Sequence, residues 1–125
     1  MLTVRDGKGG KFRKVPLGDK TIGLIKIWLE CRDEYTDESF VFTTERADHI
    51  TERAVQHLTK RLSELSGVEF SPHTLYHTYC KRLADNTGQI EVVAELAGHS
   101  DINTTRVYVK PGKEELKKYV NDVEL

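Results

Sequence analysis

Short polar blocks in the second half of the chain contain the residue types that are suited to chemistry. His73 and His77 lie one helical turn apart, His99 follows Gly98, and Tyr108 lies a short distance beyond it. A phenol can act as a nucleophile, and an imidazole titrates near neutral pH and can take up a proton. On residue type alone, however, Tyr108 is most simply interpreted as a partly buried helix tyrosine.

A metal site is a second chemistry open to the same histidines. The spacing of His73 and His77 places two imidazoles on one helix face, and His99 would be the third ligand. Thr74 follows His73 where a zinc protease has its glutamate, and no Cys or acidic residue stands at a diagnostic spacing. A satisfied core or helix-end histidine is the simpler interpretation of His77, so no metal is predicted.

The composition is that of one ordinary globular domain. The chain has 125 residues, 38% apolar and 31% charged, which predicts a single domain over residues 1–125 with one compact core. The sequence contains no apolar run long enough to cross a bilayer and no signal-peptide pattern after Met1, so a cytoplasmic protein without a membrane partner is predicted. Cys31 and Cys80 lack CxxC spacing and are predicted to be reduced and packed.

The charges are segregated along the chain, although the net charge is only −1. Residues 1–20 hold six basic side chains against two acidic ones, a local charge of +4. Such a patch can attract a polyanion such as DNA, whereas a solvated lysine-rich hairpin is the simpler alternative. The candidate DNA-binding residues in this arm are Lys8, Lys11, Arg13 and Lys14.

The elements that must position these residues begin with a hairpin. Residues 2–5 and 12–17 are short apolar-containing runs on either side of Gly7, Gly9 and Gly10, which permit a tight reversal. This pattern predicts an antiparallel β-hairpin with a basic tip. The same glycines lack the spacing of a phosphate-binding loop. Residues 39–42 are predicted as an edge strand or an extended connector.

Start signals, stop signals and apolar periodicity predict a series of helices. The first is expected to pack an apolar stripe that includes Ile22, Ile25 and Trp28 onto a core. The predicted boundaries are Asp19 as the cap of the first helix, Thr51 and Gly67 around the second, Ser71-Pro72 to about Asn86 with Gly88 after it for the third, Ile90 to Gly98 for the fourth, Asp101 or Asn103 before a turn with Tyr108, and residues 113–125 for an amphipathic tail.

The polar blocks together closely resemble the tyrosine recombinase (phage integrase) family. The family patterns His-x-Leu-Arg-His-Thr, Leu-Gly-His-Ser and Thr-Thr-x-x-Tyr are matched, at similar separations, by the blocks at residues 72–78, 96–100 and 104–108. Residues 7–17 also resemble the family's β-hairpin, so the resemblance covers essentially the whole chain. It implies an α+β, mainly helical fold, in which a small N-terminal antiparallel sheet precedes a helical catalytic core of the tyrosine recombinase type.

The resemblance implies an enzyme for site-specific DNA recombination or integration through a transient 3′-phosphotyrosine link. Tyr108 would be the nucleophile, Lys8 would protonate the leaving 5′-oxygen, and His73 and His99 would hydrogen-bond the phosphate or help take the phenol's proton. His77 is expected near the site but outside its first contacts. The phosphotyrosine conserves the bond energy, so neither ATP nor a metal cofactor is required. Double-stranded DNA is the implied partner.

Two departures from the family pattern reduce the expected activity. The family's second motif arginine falls at position 76, where this chain has Tyr76, and its first catalytic arginine lies upstream of the hairpin, outside this chain. A guanidinium binds phosphate through paired charge-assisted hydrogen bonds, whereas Tyr76 donates one neutral bond. We therefore expect a partial catalytic domain, lacking its N-terminal part, with impaired activity. The alternative is a non-catalytic DNA-binding regulator or decoy derived from a recombinase.

The C-terminal segment, residues 113–125, has two interpretations. Its apolar residues, which include Leu116, Val120 and Val123, recur at helical spacing. In the family the segment after the nucleophile often packs on a neighbouring protomer, so the resemblance implies self-association on DNA. Packing within the same chain is the alternative.

Overall fold

A computed structural model describes residues 1–5, 12–32, 39–46 and 49–124 of the chain. Over these ranges two short strands precede a series of helices, which confirms the predicted mainly helical α+β architecture. The elements are β1 (Leu2–Val4), β2 (Arg13–Val15), α1 (Asp19–Cys31), α2 (Glu52–Ser66), α3 (Pro72–Thr87), α4 (Ile90–Ala97), α5 (Ile102–Arg106) and α6 (Lys113–Val123).

The two strands form the predicted antiparallel hairpin. Leu2 pairs with Val15 and Val4 pairs with Arg13. Side chains alternate between the faces of a strand, and on β2 the partly buried Arg13 is followed by the exposed Lys14. The predicted tip, which includes Lys8 and Lys11, lies outside the described residues.

Helix α1 differs from the sequence prediction in its start and in its packing. Gly18, and not Asp19, is the N-cap, and Asp19 lies in the first turn, where its charge complements the helix dipole. The described residues cover the predicted apolar stripe only in part, since α1 has no buried residue, Ile22 and Ile25 are partly buried, and Trp28 is exposed. The prediction that Cys31 is packed is wrong, because its side chain is exposed.

Residues 39–46 contact α1 without forming the edge strand that was one of the two predictions for residues 39–42. The segment consists of turns and bends with a bridge residue at Thr44, so neither the edge strand nor the extended connector describes residues 39–42. The indole nitrogen of Trp28 donates to the Val41 carbonyl at 2.8 Å, and the Trp28 and Phe42 rings lie 6.3 Å apart. Arg32 donates to the carbonyl of Phe40.

The boundaries of α2 and α3 follow the predicted local signals. Thr51 accepts a hydrogen bond from the Ala54 amide at 3.1 Å, and Gly67 ends α2 with φ of 71°. Ser71 and Thr74 form a reciprocal capping box at the start of α3. These caps satisfy amides that a helix start leaves unpaired, and they fix where each helix begins.

The core lies between α3 and α4 and is small. Its buried members are Cys80 and Ala84 from α3 and Val93 and Ala97 from α4, and Tyr108 packs against them. Short side chains allow the two helices to approach closely, and α5 packs on α4 in turn. The core therefore brings together the first half of α3, the turn after α4 and the turn after α5.

Helix α6 extends beyond this core with its apolar side exposed. It contains no buried residue, and Leu116 and Val120 are each about half exposed, at 50% and 54%. Among the described residues, no helix combines the length and the apolar character needed to cross a membrane.

Candidate active site

Five aromatic rings from three parts of the chain meet at the edge of the core. His73, Tyr76 and His77 come from α3, His99 from the turn after α4, and Tyr108 from the turn after α5. The Tyr108 ring centroid lies 5.8 Å from that of His77 and 6.2 Å from that of His99. The predicted nucleophile and the candidate imidazoles are thus adjacent in space. We call these five residues the ring cluster.

Local backbone signals place each member of the ring cluster. The Ser71 capping box and Pro72 fix the first turn of α3, so the histidines of that helix follow at a defined rotation. Gly98 ends α4 with φ of 75°, a left-handed conformation that glycine adopts without strain. Asp101 then caps α5 by accepting a hydrogen bond from the Asn103 amide at 2.9 Å.

The Tyr108 hydroxyl is hydrogen-bonded to Nδ1 of His77. The expectation that His77 lies outside the first contacts of the site is therefore wrong. His73, one turn earlier, stacks instead on Tyr76 and meets the edge of His77, with centroids 6.4 Å and 4.3 Å away. The rotation of α3 about its axis decides which histidine reaches the phenol, and sequence spacing does not fix that rotation.

A chain of hydrogen bonds assigns the tautomer of His99. The Tyr76 hydroxyl donates to the Ala97 carbonyl at 3.0 Å, and its single proton is then committed. His99 Nε2, 2.8 Å from the same hydroxyl, must therefore donate to it. His99 Nδ1 is left to accept from the buried Thr105 hydroxyl at 2.7 Å. His99 is thus a neutral imidazole with its proton on Nε2.

Burial shifts the pKa of three members of the ring cluster, His99, Tyr76 and Tyr108, toward the neutral form. Burial lowers the pKa of His99, and the Arg13 guanidinium lowers it further. Burial also raises the pKa of Tyr108, with a smaller contribution from Cys80. Burial, followed by the Cys80 thiol, raises the pKa of Tyr76 to about 12. At neutral pH both phenols keep their protons, so Tyr108 needs a base to become a nucleophile.

Arg13 reaches this region from β2, although the sequence assigns it only to a DNA-binding arm. Its guanidinium lies against Gly98, so closely that a methyl group on Gly98 would collide with it. Its Nε is buried and has no hydrogen-bond partner among the described residues. Alternation along a strand predicts that Arg13 and Lys14 face opposite sides, but the sequence does not show which of the two faces the core.

The remaining predicted residues are three lysines of the arm, and two further residues reach the site without having been predicted there. Lys8 and Lys11 lie outside the described residues, so the structure does not place them. Lys14 is exposed on β2. Cys80 and Thr105 are buried beneath the ring cluster, and the sequence alone did not predict that either contacts the site. Both are small residues whose role depends on tertiary packing.

The described part of the chain contains no group of three or more His, Cys, Asp or Glu residues with metal-binding geometry. His77 and His99 each turn a ring nitrogen toward a hydroxyl group. Hydrogen bonding to the two tyrosines is therefore the arrangement that the histidines adopt.

A family model and individual proteins match the chain. The model described as the phage integrase family matches residues 1–115. The tyrosine recombinase XerA of Thermococcus onnurineus is 34% identical over 119 residues, covering 94% of this chain and 42% of that protein. XerC of Corynebacterium glutamicum is 36% identical over 117 residues, covering 92% of this chain and 38% of that protein.

A solved structure agrees with the fold. The XerH site-specific recombinase, in a pre-cleavage complex with difH substrate, superposes with a TM-score of 0.78 at 26% identity, covering 98% of this chain and 37% of that chain. The chain thus spans about two fifths of the length of the proteins that it matches.

Proposed function

The chain belongs to the phage integrase family, and from this membership we propose that it breaks and rejoins double-stranded DNA through a transient phosphotyrosine link on Tyr108. The observation that carries the proposal is the hydrogen bond between the Tyr108 hydroxyl and His77. The Tyr108 ring packs against the core, and the bond places a proton acceptor in direct contact with its hydroxyl.

The proposed cleavage step moves one proton at each end of the reacting bonds. The Tyr108 oxygen bonds to the scissile phosphorus, and its proton passes to His77 Nδ1. The bond from phosphorus to the 5′-oxygen breaks, and by resemblance Lys8 gives that oxygen a proton. The DNA keeps a 3′-phosphotyrosine link, which a free 5′-hydroxyl can attack to reverse the step. Recombination or integration results when that hydroxyl belongs to a different strand.

We propose that this chain performs the reaction weakly. A guanidinium at position 76 would neutralise the non-bridging oxygens, whereas the Tyr76 hydroxyl is already bonded to Ala97 and His99. Removing one preorganised donor of this kind costs about 10² to 10³ in rate. The expected yield of covalent complex is therefore low.

The same proposal includes the DNA partner, the extent of the domain and the cellular compartment of the protein. The XerH neighbour is a complex with its difH substrate, which supports double-stranded DNA as the partner here. We propose that residues 1–125 form a single unit equivalent to part of a recombinase catalytic domain, as the coverage of the matched proteins suggests. A DNA substrate of this kind is met in the cytoplasm, which is the compartment that we propose.

The test is covalent capture from DNA of random sequence, because such a pool does not require the target site to be chosen in advance. The chain is incubated with nicked duplexes in which cleavage releases a short strand and so traps the intermediate. We expect complexes that survive denaturation, and their sequencing identifies the preferred site. Tyr108→Phe should abolish them, while Tyr119→Phe, on the exposed side of α6, should not.

A covalent complex that persists in Tyr108→Phe contradicts the proposed nucleophile. DNA binding without any covalent complex favours the alternative, a non-catalytic DNA-binding regulator or decoy. The bond from Tyr76 to His99 is the observation that favours this alternative, because it occupies the imidazole proton that a phosphate oxygen would otherwise accept. Binding of that kind should weaken as the salt concentration rises, because contacts between the basic residues of the arm and DNA phosphates release counterions.

A further inference from the structure

The two basic residues at the centre of β2 face different surroundings. Lys14 is exposed, whereas Arg13 is partly buried and its guanidinium covers Gly98. A cation that only touches the outer DNA backbone would be expected to stay hydrated, as Lys14 does. The guanidinium of Arg13 therefore lies beside the ring cluster and not at the outer surface of the hairpin.

The charge of Arg13 has no counter-ion among the described residues. Within the described ranges, the ion pair joins Lys81 to Asp85 and does not include Arg13. The Nε of Arg13 is buried and has no hydrogen-bond partner there. A guanidinium does not lose its proton at neutral pH, so the group stays charged. A charged group with a buried, unpaired Nε costs free energy, which an incoming anion would offset.

The position of Arg13 relates it to both functional tyrosines. Its guanidinium lies against Gly98, the residue before His99, and its charge adds to burial in lowering the pKa of His99. Tyr76 occupies the position of the family's arginine, and His99 stacks on the Tyr108 ring with an interplanar angle of 16°. An anion held by Arg13 would thus lie beside the nucleophile, near the place that the absent guanidinium leaves without charge.

We propose that Arg13 is the cation that binds the non-bridging oxygens of the scissile phosphate in this chain, in compensation for Tyr76. This role rests on the proposed function. A planar guanidinium binds two phosphate oxygens at once, and it would stabilise the charge that develops as Tyr108 attacks phosphorus. The β-hairpin would then supply electrostatic stabilisation that α3 does not.

The first experiment uses inorganic phosphate as the probe and does not depend on DNA cleavage. The chain, labelled with ¹⁵N in its histidines, is titrated with phosphate at constant ionic strength while the His99 ring signals are followed. We expect a saturable shift in the wild type and in the control Lys14→Gln. Arg13→Gln should weaken binding at least about tenfold, since it removes the charge and the paired hydrogen bonds. Arg13→Lys should lie between them.

The second experiment separates free phosphate from a DNA phosphodiester as the ligand. On a duplex recovered by covalent capture, Arg13→Gln should slow adduct formation by about 10² to 10³. With an uncharged methylphosphonate at the cleavage position, the difference between Arg13→Gln and the wild type should disappear, because no charge remains to be neutralised. Circular dichroism of each variant verifies that the helices are intact.

The outcomes distinguish the role of Arg13 from the function itself. Phosphate binding that is equal in the wild type and in Arg13→Gln, or absent from both, overturns the role of Arg13. An equal penalty on the charged and the uncharged duplex overturns it as well. A wild type that binds phosphate through Arg13 but forms no adduct contradicts the proposed cleavage and leaves Arg13 as an anion-binding residue.

Discussion

The hydroxyl oxygen of Tyr76 accepts the hydrogen bond that His99 Nε2 donates, and the two atoms lie 2.8 Å apart. Under the proposed function, that proton is one of the few donors beside Tyr108 that a phosphate oxygen can accept. The same hydroxyl donates to the Ala97 carbonyl at 3.0 Å, so DNA must displace a bonded side chain before it reaches the imidazole. At the scale of single residues, Tyr76 is thus a substitution that both removes a cation and engages a neighbouring donor.

Tyr76→Arg is expected to raise the rate of covalent capture by about 10² or more, because it restores a charge-assisted phosphate clamp. Tyr76→Phe should raise it less, since it frees His99 without adding charge. The matched control is Tyr79→Arg on the exposed surface of the same helix. Rates are measured as adduct formed with time on one captured duplex. An unchanged or lower rate in Tyr76→Arg would show that position 76 does not face the phosphate.

His99 gives the folded protein a pH dependence whose sign follows from its lowered pKa. Below pH 6.5, the ordinary pKa of histidine, the unfolded chain takes up a proton that folded His99 resists, so the free energy of unfolding falls as pH decreases through this range. Above pH 6.5 this contribution is fully present. Urea unfolding between about pH 5 and pH 8, roughly the histidine titration range, measures it.

His99→Gln should flatten that dependence, while His57→Gln, an exposed substitution on α2, should retain it. A dependence that survives intact in His99→Gln would assign the titration to another group.

At the scale of elements, the contact between β2 and the end of α4 decides how the hairpin meets the ring cluster. Gly98 and Gly88 both have positive φ values, of 75° and 61°. At Gly98 the Arg13 side chain fills the space that a methyl group would need, whereas the same space at Gly88 is open. The two glycines therefore separate backbone strain from the loss of the Arg13 contact.

Gly88→Ala should lower the free energy of unfolding by about 1 kcal/mol, the cost of a left-handed conformation for alanine. Gly98→Ala should cost slightly more, because the methyl group also displaces the end of the flexible Arg13 side chain. Adding Arg13→Ala should recover the excess in a double-mutant cycle measured by urea unfolding. Equal effects at the two glycines would contradict the contact.

The boundaries of α2 and α3 were predictable because they are written in adjacent residues. Thr51 and Ser71 cap amides within the same turn, so no distant part of the fold is needed to place them. The resemblance of the blocks around His99 and Tyr108 to the family likewise implied a shared site. The contact of His77 and the inward position of Arg13 were not predictable, because they depend on the rotation of α3 and on which face of β2 meets the core.

At the scale of the whole molecule, the described residues bury few side chains and leave two helices with exposed apolar surfaces. Helices α1 and α6 contain no buried residue. The packing predicted for α1 is therefore only partly observed, since an apolar stripe indicates that a helix is covered but not which residues cover it. The exposed apolar surface of α6 fits both predicted interpretations, self-association through residues 113–125 and packing within the same chain, so self-association stays a prediction.

Replacing Leu116 and Val120 by aspartate should abolish self-association, because charges cannot be buried in an apolar contact without a partner. The wild type is expected to sediment faster as its concentration rises, in the presence of duplex DNA. Lys117→Asp, on the same exposed helix, is the control and should behave like the wild type. Concentration dependence that persists in the double variant would favour packing of α6 within its own chain.

Trp28, the single tryptophan of the chain, donates its indole proton to Val41 and remains 37% exposed. The tryptophan fluorescence of the native protein, excited selectively over its tyrosines, thus originates from one fluorophore whose environment includes the 39–46 segment. Detachment of that segment would move the emission to longer wavelength while the helices stay folded. The protein consequently contains an intrinsic optical reporter that distinguishes local release at α1 from global unfolding, without any dye or label.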